Sequence, residues 1–208
     1  MKFNNYAAGR WVARLGGLLV TMSLVGCGVV PKPFVDPHLR DVDASQFKKP
    51  DPIHPVQLLF DFKTKGVENP KATDVLKARV ADQVAKSGLF GAISEAPVQG
   101  GALLTITVDH VAVDGSDGMG KAFASGLTFG LVGTAVTDGY IADGNYVAPG
   151  ASTPIVKEVR HAIHTMIGNH EPPPGAVASP SLEEAATTML HQVVSHLLND
   201  ISHDPAFR

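Results

Sequence analysis

A single cysteine, Cys27, in a chain of 208 residues rules out an internal disulfide, so the fold must be held by an apolar core. The position of that thiol adds a second constraint. Lys2, Arg10 and Arg14 precede it, no acidic residue does, and from Leu15 to Gly26 the chain is uncharged and mostly apolar. A positive flank followed by an apolar run of this length has the layout of an export signal and is too short to span a bilayer as a permanent helix. Residues 1–26 are therefore expected to be removed, leaving Cys27 at the new N-terminus.

The run closes on Leu24, Val25, Gly26 and Cys27, a branched apolar residue and two small or modest ones before the cysteine. This resembles the lipobox of bacterial lipoproteins. A diacylglyceryl thioether needs a thiol, which Cys27 supplies, and the peptidase needs a small residue beside the cut, which Gly26 supplies. The resemblance implies that Cys27 is acylated and anchors the mature protein. Attachment grows by roughly 0.8 kcal/mol per buried methylene, and stable anchoring takes more than one chain. Because Gly28 rather than aspartate follows the cysteine, the resemblance also implies sorting to the outer membrane, with the domain on its periplasmic side.

Removal of the signal takes Lys2, Arg10 and Arg14 from the 17 basic residues and none of the 20 acidic ones, moving the net charge from −3 to −6. A mildly acidic domain lacks the clustered Lys and Arg that nucleic-acid binding requires, so nucleic acid is not expected as a partner. The remaining 182 residues suit one domain. Between positions 27 and 55, Pro31, Pro33, Pro37, Pro50, Pro52 and Pro55 oppose any helix or central strand. This stretch reads as an extended tether of about 3 Å per residue, with wrapping against the domain as the alternative.

The folded part is expected over residues 56–208. Val56 to Phe62 has the composition of a strand with a buried face. After Asn69-Pro70, Leu76, Val80 and Val84 recur every four residues between Ala72 and Lys86, an amphipathic helix with Gly88 at its C-terminal cap. Leu89 to Ile93 reads as a short strand or a return into the sheet, and Ala102 to Val113 as a longer strand. There Leu104, Ile106 and Val108 share one face with His110. Pro154 to Ile167 alternates likewise, placing His161 and His164 on opposite faces. A capping box at Ser181-Leu182-Glu183-Glu184 starts a second helix, whose apolar face runs from Leu182 to Ile201.

These elements predict an α+β fold, with a mixed or antiparallel sheet of about four strands and both amphipathic helices on one face. The pattern is similar to the small sheet-and-helix envelope lipoproteins of Gram-negative bacteria; it carries no diagnostic motif and transfers no functional residue.

Residues 118–136 form a glycine-rich apolar segment, uncharged from Ala122 to Val136. Ala122, Gly126, Gly130 and Thr134 stand four apart, so a helix here would present a groove of small residues beside Phe123 and Leu127. It is too short to cross a bilayer upright. Three readings follow: a dip into one leaflet, packing against a copy in another subunit, or a hairpin buried in the domain. Just before it, Gly115 to Lys121 has the glycine and lysine spacing of a phosphate-binding loop, but Ala122 stands where that loop needs a hydroxyl for magnesium, so these glycines read as a turn.

None of the nine histidines stands in a metal-ligand spacing, and no nucleophile-elbow motif surrounds a serine. No catalytic residue, metal or cofactor is therefore expected. The function indicated is a membrane-anchored, non-enzymatic binding or assembly component that contacts envelope proteins or itself through Phe123, Gly126, Leu127 and Gly130 or through a sheet edge. The alternative is an envelope hydrolase or metal-dependent enzyme whose site is assembled from residues distant in sequence.

Overall fold

The computed structural model describes residues 30–113, 135–169 and 171–208. The strands are β1 (Lys32–Val35), β2 (Val56–Thr64), β3 (Val67–Glu68), β4 (Ile93–Ser94), β5 (Ala102–Ala112), β6 (Ala135–Val147), β7 (Ile155–Met166) and β8 (Val177–Ala178). The helices are α1 (Pro70–Lys86) and α2 (Leu182–Ser202). The sheet order is β3-β2-β5-β6-β7-β1-β8, with β4 beside β2. β2 runs parallel to β4 and β5, and every other pairing is antiparallel. Parallel β2 and β5 cannot be joined by a tight turn, and α1 lies in the crossover between them.

The α+β class holds, but the expected strand number does not: the described sheet has eight strands, not about four. Four are long, and β6 among them was not expected. Its sequence AVTDGYIADGNYV is crowded with Gly, Asp and Asn, which disfavour strands, yet Tyr140, Ala142 and Tyr146 alternate into the core. Gly144 continues that alternation against α2. A Cβ there would lie 3.1 Å from Ile201 Cδ1 and 3.2 Å from Leu197 Cδ2, so the missing side chain is what lets the helix settle on the sheet. The other four strands are two to four residues long, below the length at which periodicity is readable.

The segment expected as a spacer is part of the fold from Lys32 onward, and its prolines do not prevent this. Pro33, between β7 and β8, lends its carbonyl to Ser179 N–H at 2.9 Å, and the pairing tolerates the missing donor on so short a strand. Residues 36–48 then cross α2 and are sewn to it. Val42 N–H donates to Ser195 Oγ at 3.1 Å, Lys48 N–H to Ser202 Oγ at 3.2 Å, and His196 Nε2 donates to the Arg40 carbonyl at 2.8 Å.

Both helices begin and end where side-chain chemistry directs. Asn69 accepts from Ala72 N–H ahead of Pro70, and Gly88 past the end of α1 takes φ +68°. Ser181 Oγ accepts from Glu184 N–H at 3.1 Å to start α2. Both pack on the same face, against Leu58, Phe60, Leu104, Ile106, Val108 and Ala142. Each fully buried side chain such as Leu197, Leu198 or Ile201 contributes about 1.5–3 kcal/mol. At the end of the sheet where β2 begins, Phe90, Tyr146 and Phe207 cluster with ring centroids 4.9–6.3 Å apart. Tyr146 donates to the Arg208 carbonyl at 2.7 Å, and burial pushes its phenol up to about 12.

Candidate functional site

At the end of the sheet opposite that aromatic cluster, the described chain leads towards the segments that the sequence singled out. β7 finishes there at Met166. On one side Met166 pairs with Lys32 at the start of β1, and on the other with Ala135 at the start of β6. β5 ends on the same edge, with Ala112 opposite Asp138. The N-terminal side of the described chain and both flanks of segment 114–134 therefore leave the domain within two or three strand spacings of each other, roughly 10–15 Å. Gly26, Cys27, Phe123, Gly126, Leu127 and Gly130 themselves lie outside the described residues, as does the loop-like run Gly115 to Lys121.

What fixes β1 at this end is a buried polar set on the face of β7 away from the helices. His164 Nε2 lies 2.9 Å from Asp36 Oδ2, with side-chain exposures of 0 and 3 %, and Thr137 Oγ1 lies 3.0 Å from His164 Nδ1. Asp36 also accepts from His38 N–H at 2.8 Å. Burial pushes the Asp36 carboxyl up, but the hydrogen bonds from His164 and His38 and the charge of His164 outweigh it, holding the carboxyl below its ordinary value. These buried groups make a structural clamp: they fix the start of the described chain to the sheet, and their burial closes them to any substrate.

On the helix face, His161 Nε2 lies 2.6 Å from Gln192 Oε1, while Nδ1 is buried without a hydrogen-bond partner among the described residues. Burial pushes the imidazole below its ordinary value, against the raising effects of Gln192 and Asp36, so it is neutral at pH 7. Alternation placed these two histidines on opposite faces, and the structure places them so. Because the folded value lies below the unfolded one, the stability His161 contributes is present above about pH 6.5 and is lost as the pH falls. His161→Leu combined with Gln192→Leu should flatten the decline in urea-unfolding free energy between pH 7 and pH 5, by up to about 1.4 kcal/mol per pH unit.

The remaining histidine pairs are nearer the surface. His110 Nε2 lies 2.9 Å from Asp138 Oδ1 and stacks on Tyr140 with centroids 5.1 Å apart, and His191 Nδ1 lies 2.8 Å from Asp41 Oδ1. Among the described residues no three His, Cys, Asp or Glu groups are arranged to hold a metal ion. A groove of about 280 Å³ opens beside β2, lined by Leu58, Phe60, Asp61, Lys77 and Glu95, where the strand edge between β3 and β4 is uncovered. Sequence reasoning missed this gap, because it depends on where two two-residue strands stop.

The architecture so defined is a helix-backed mixed sheet with a clamped N-terminal strand. No known family matches the sequence, and no curated protein matches it. Among solved structures, the chain is similar to the PelC dodecamer subunit from Paraburkholderia phytofirmans, with TM-score 0.36 and 14% identity over 77% of this chain and 97% of that one. It is also similar to a minor lipoprotein from Acinetobacter baumannii, with TM-score 0.30 and 10% identity over 70% and 89% of the two chains.

Proposed function

We propose that this chain is the precursor of an envelope lipoprotein, cut between Gly26 and Cys27 and held by acylated Cys27 in the periplasmic leaflet of the outer membrane. It acts as a non-enzymatic binding or assembly component, joining copies of itself or other envelope proteins beside the membrane. The observation that supports this reading is the pairing of Met166 with both Lys32 and Ala135. It gives the anchor and the uncharged glycine-rich segment neighbouring points of departure from one end of the domain. Gly126 and Gly130, with Phe123 and Leu127, are the proposed contact.

Crosslinking the full-length lipidated protein in intact cells, beside a Gly126→Leu/Gly130→Leu variant, tests the assembly role. Adducts to itself or to a defined envelope protein are expected, and the variant should lose them while its fold persists. A wild type without adducts, or adducts unchanged by the substitutions, would contradict the proposed contact.

A further inference from the structure

We infer that the end of the sheet bearing Lys32, Thr64 and Ala135 is itself a lipid-facing surface, resting directly on phospholipid through Val67, Val136, Leu182 and the Val30 segment. This rests on the reading of Cys27 as the lipidated residue. Chain length carries the first part of the argument. Only residues 28–31 lie between Cys27 and Lys32, the first residue held in the sheet, so five chain steps keep the acylated residue within roughly 17 Å of that strand end however the intervening chain runs. A free spacer reaching to residue 55 would have allowed roughly 80 Å. The clamp of β1 by Asp36 and His164 therefore removes most of the stand-off and holds the domain against the bilayer.

The surface presented at this short range is the second part. Val30, Val67, Val136 and Leu182 are between 51 and 74 % exposed. They come from four separate parts of the chain, and the sheet register brings them to this one end. Val67 pairs with Thr64 at the finish of β2, Val136 pairs with Thr165 near the finish of β7, and Leu182 follows Ser179, whose N–H binds Pro33 of β1. In a protein whose lipid anchor is elsewhere, scattered exposed valines would need no explanation. Within reach of an acyl chain, they form an apolar rim that sits in the interfacial layer, adding to the hold of the anchor.

The introduced-cysteine test uses the fact that Cys27 is the only cysteine. Once it is acylated, a new cysteine is the single labelling site. Lipidated full-length protein carrying an environment-sensitive fluorophore at Val67→Cys or Leu182→Cys is reconstituted in phospholipid vesicles containing brominated lipid, beside Ser152→Cys in the exposed β6–β7 turn at the other end. The expected result is strong bromolipid quenching at positions 67 and 182 and none at 152. Unquenched labels at 67 and 182 on protein that floats with the vesicles would overturn the inference while leaving the anchor intact. Labels shielded from bromolipid but crosslinking to one another would assign the surface to a second copy, and overturn it too. Failure of the acylated chain to float with vesicles would remove both the inference and the lipid-anchor reading beneath it.

Discussion

Asp36→Ala should lower the unfolding free energy by about 3 kcal/mol in urea titration, a cost set by leaving the buried His164 imidazole and His38 N–H without their acceptor. The carboxylate accepts from His38 N–H and pairs with His164, both side chains being almost wholly buried. Its removal takes away what holds β1 where the chain turns from β7 towards α2. Hydrogen exchange should therefore rise first at Phe34 and Val35, whose partners are Ala178 and Val177 on one side and His164 and Ile163 on the other. The pH dependence has a definite sign. Because the folded carboxyl lies below its ordinary value, the stability from Asp36 is present above about pH 4 and is lost as the pH falls further. The variant should lose that part of the acid transition, while Asp36→Asn, which keeps the shape and an acceptor, should cost less than alanine.

Leu197→Ala should cost about 2–5 kcal/mol, the range for emptying a fully buried leucine site that cannot collapse. Its neighbour across the interface is the bare backbone of Gly144. Gly144→Val alone should cost about 1–3 kcal/mol, since the added methyls would press on Ile201 and Leu197. Placed together, the two substitutions should partly offset each other, because the valine fills space vacated by the leucine. A double-mutant cycle from urea unfolding should show a favourable coupling of about 1 kcal/mol or more. Strict additivity would mean that helix and strand do not meet at this point.

These two sites also mark where the fold was legible in the sequence and where it was not. α2 was readable because Ser181 and Glu184 fix its start locally and Ala185 to Ile201 repeat at helical spacing, both short-range signals. β2, β5 and β7 were readable from alternation. β6 was hidden because residues that disfavour strands serve there as packing devices: Gly144 is chosen by α2, not by the strand. β1 was hidden by Pro31 and Pro33, whose local meaning is a break, and its partners lie on strands far along the chain. The histidines divide the same way. Alternation showed that His161 and His164 face opposite sides, but the partner of His164 is 128 positions away, and nothing short-range could name Asp36. The serines of α2 that receive Val42 and Lys48 were likewise invisible until the N-terminal segment was placed.

For function, the proposed anchor rests on a local signal, Cys27 and the run before it, whereas a contact surface depends on which loops reach the same end. His161 and His164 show how one strand gives two separate structural pairs: His161 meets Gln192 on the helix face, and His164 meets Asp36 on the other.

The most direct measurement is mass spectrometry of the N-terminal peptide from the membrane fraction, for wild type and Cys27→Ser. Wild type should begin at a cysteine carrying acyl chains, and Cys27→Ser should retain residues 1–26. A free Cys27 thiol in the wild type, or a Cys27→Ser protein cleaved and released at wild-type levels, would contradict the lipid anchor and, with it, the close seating of the domain on the membrane.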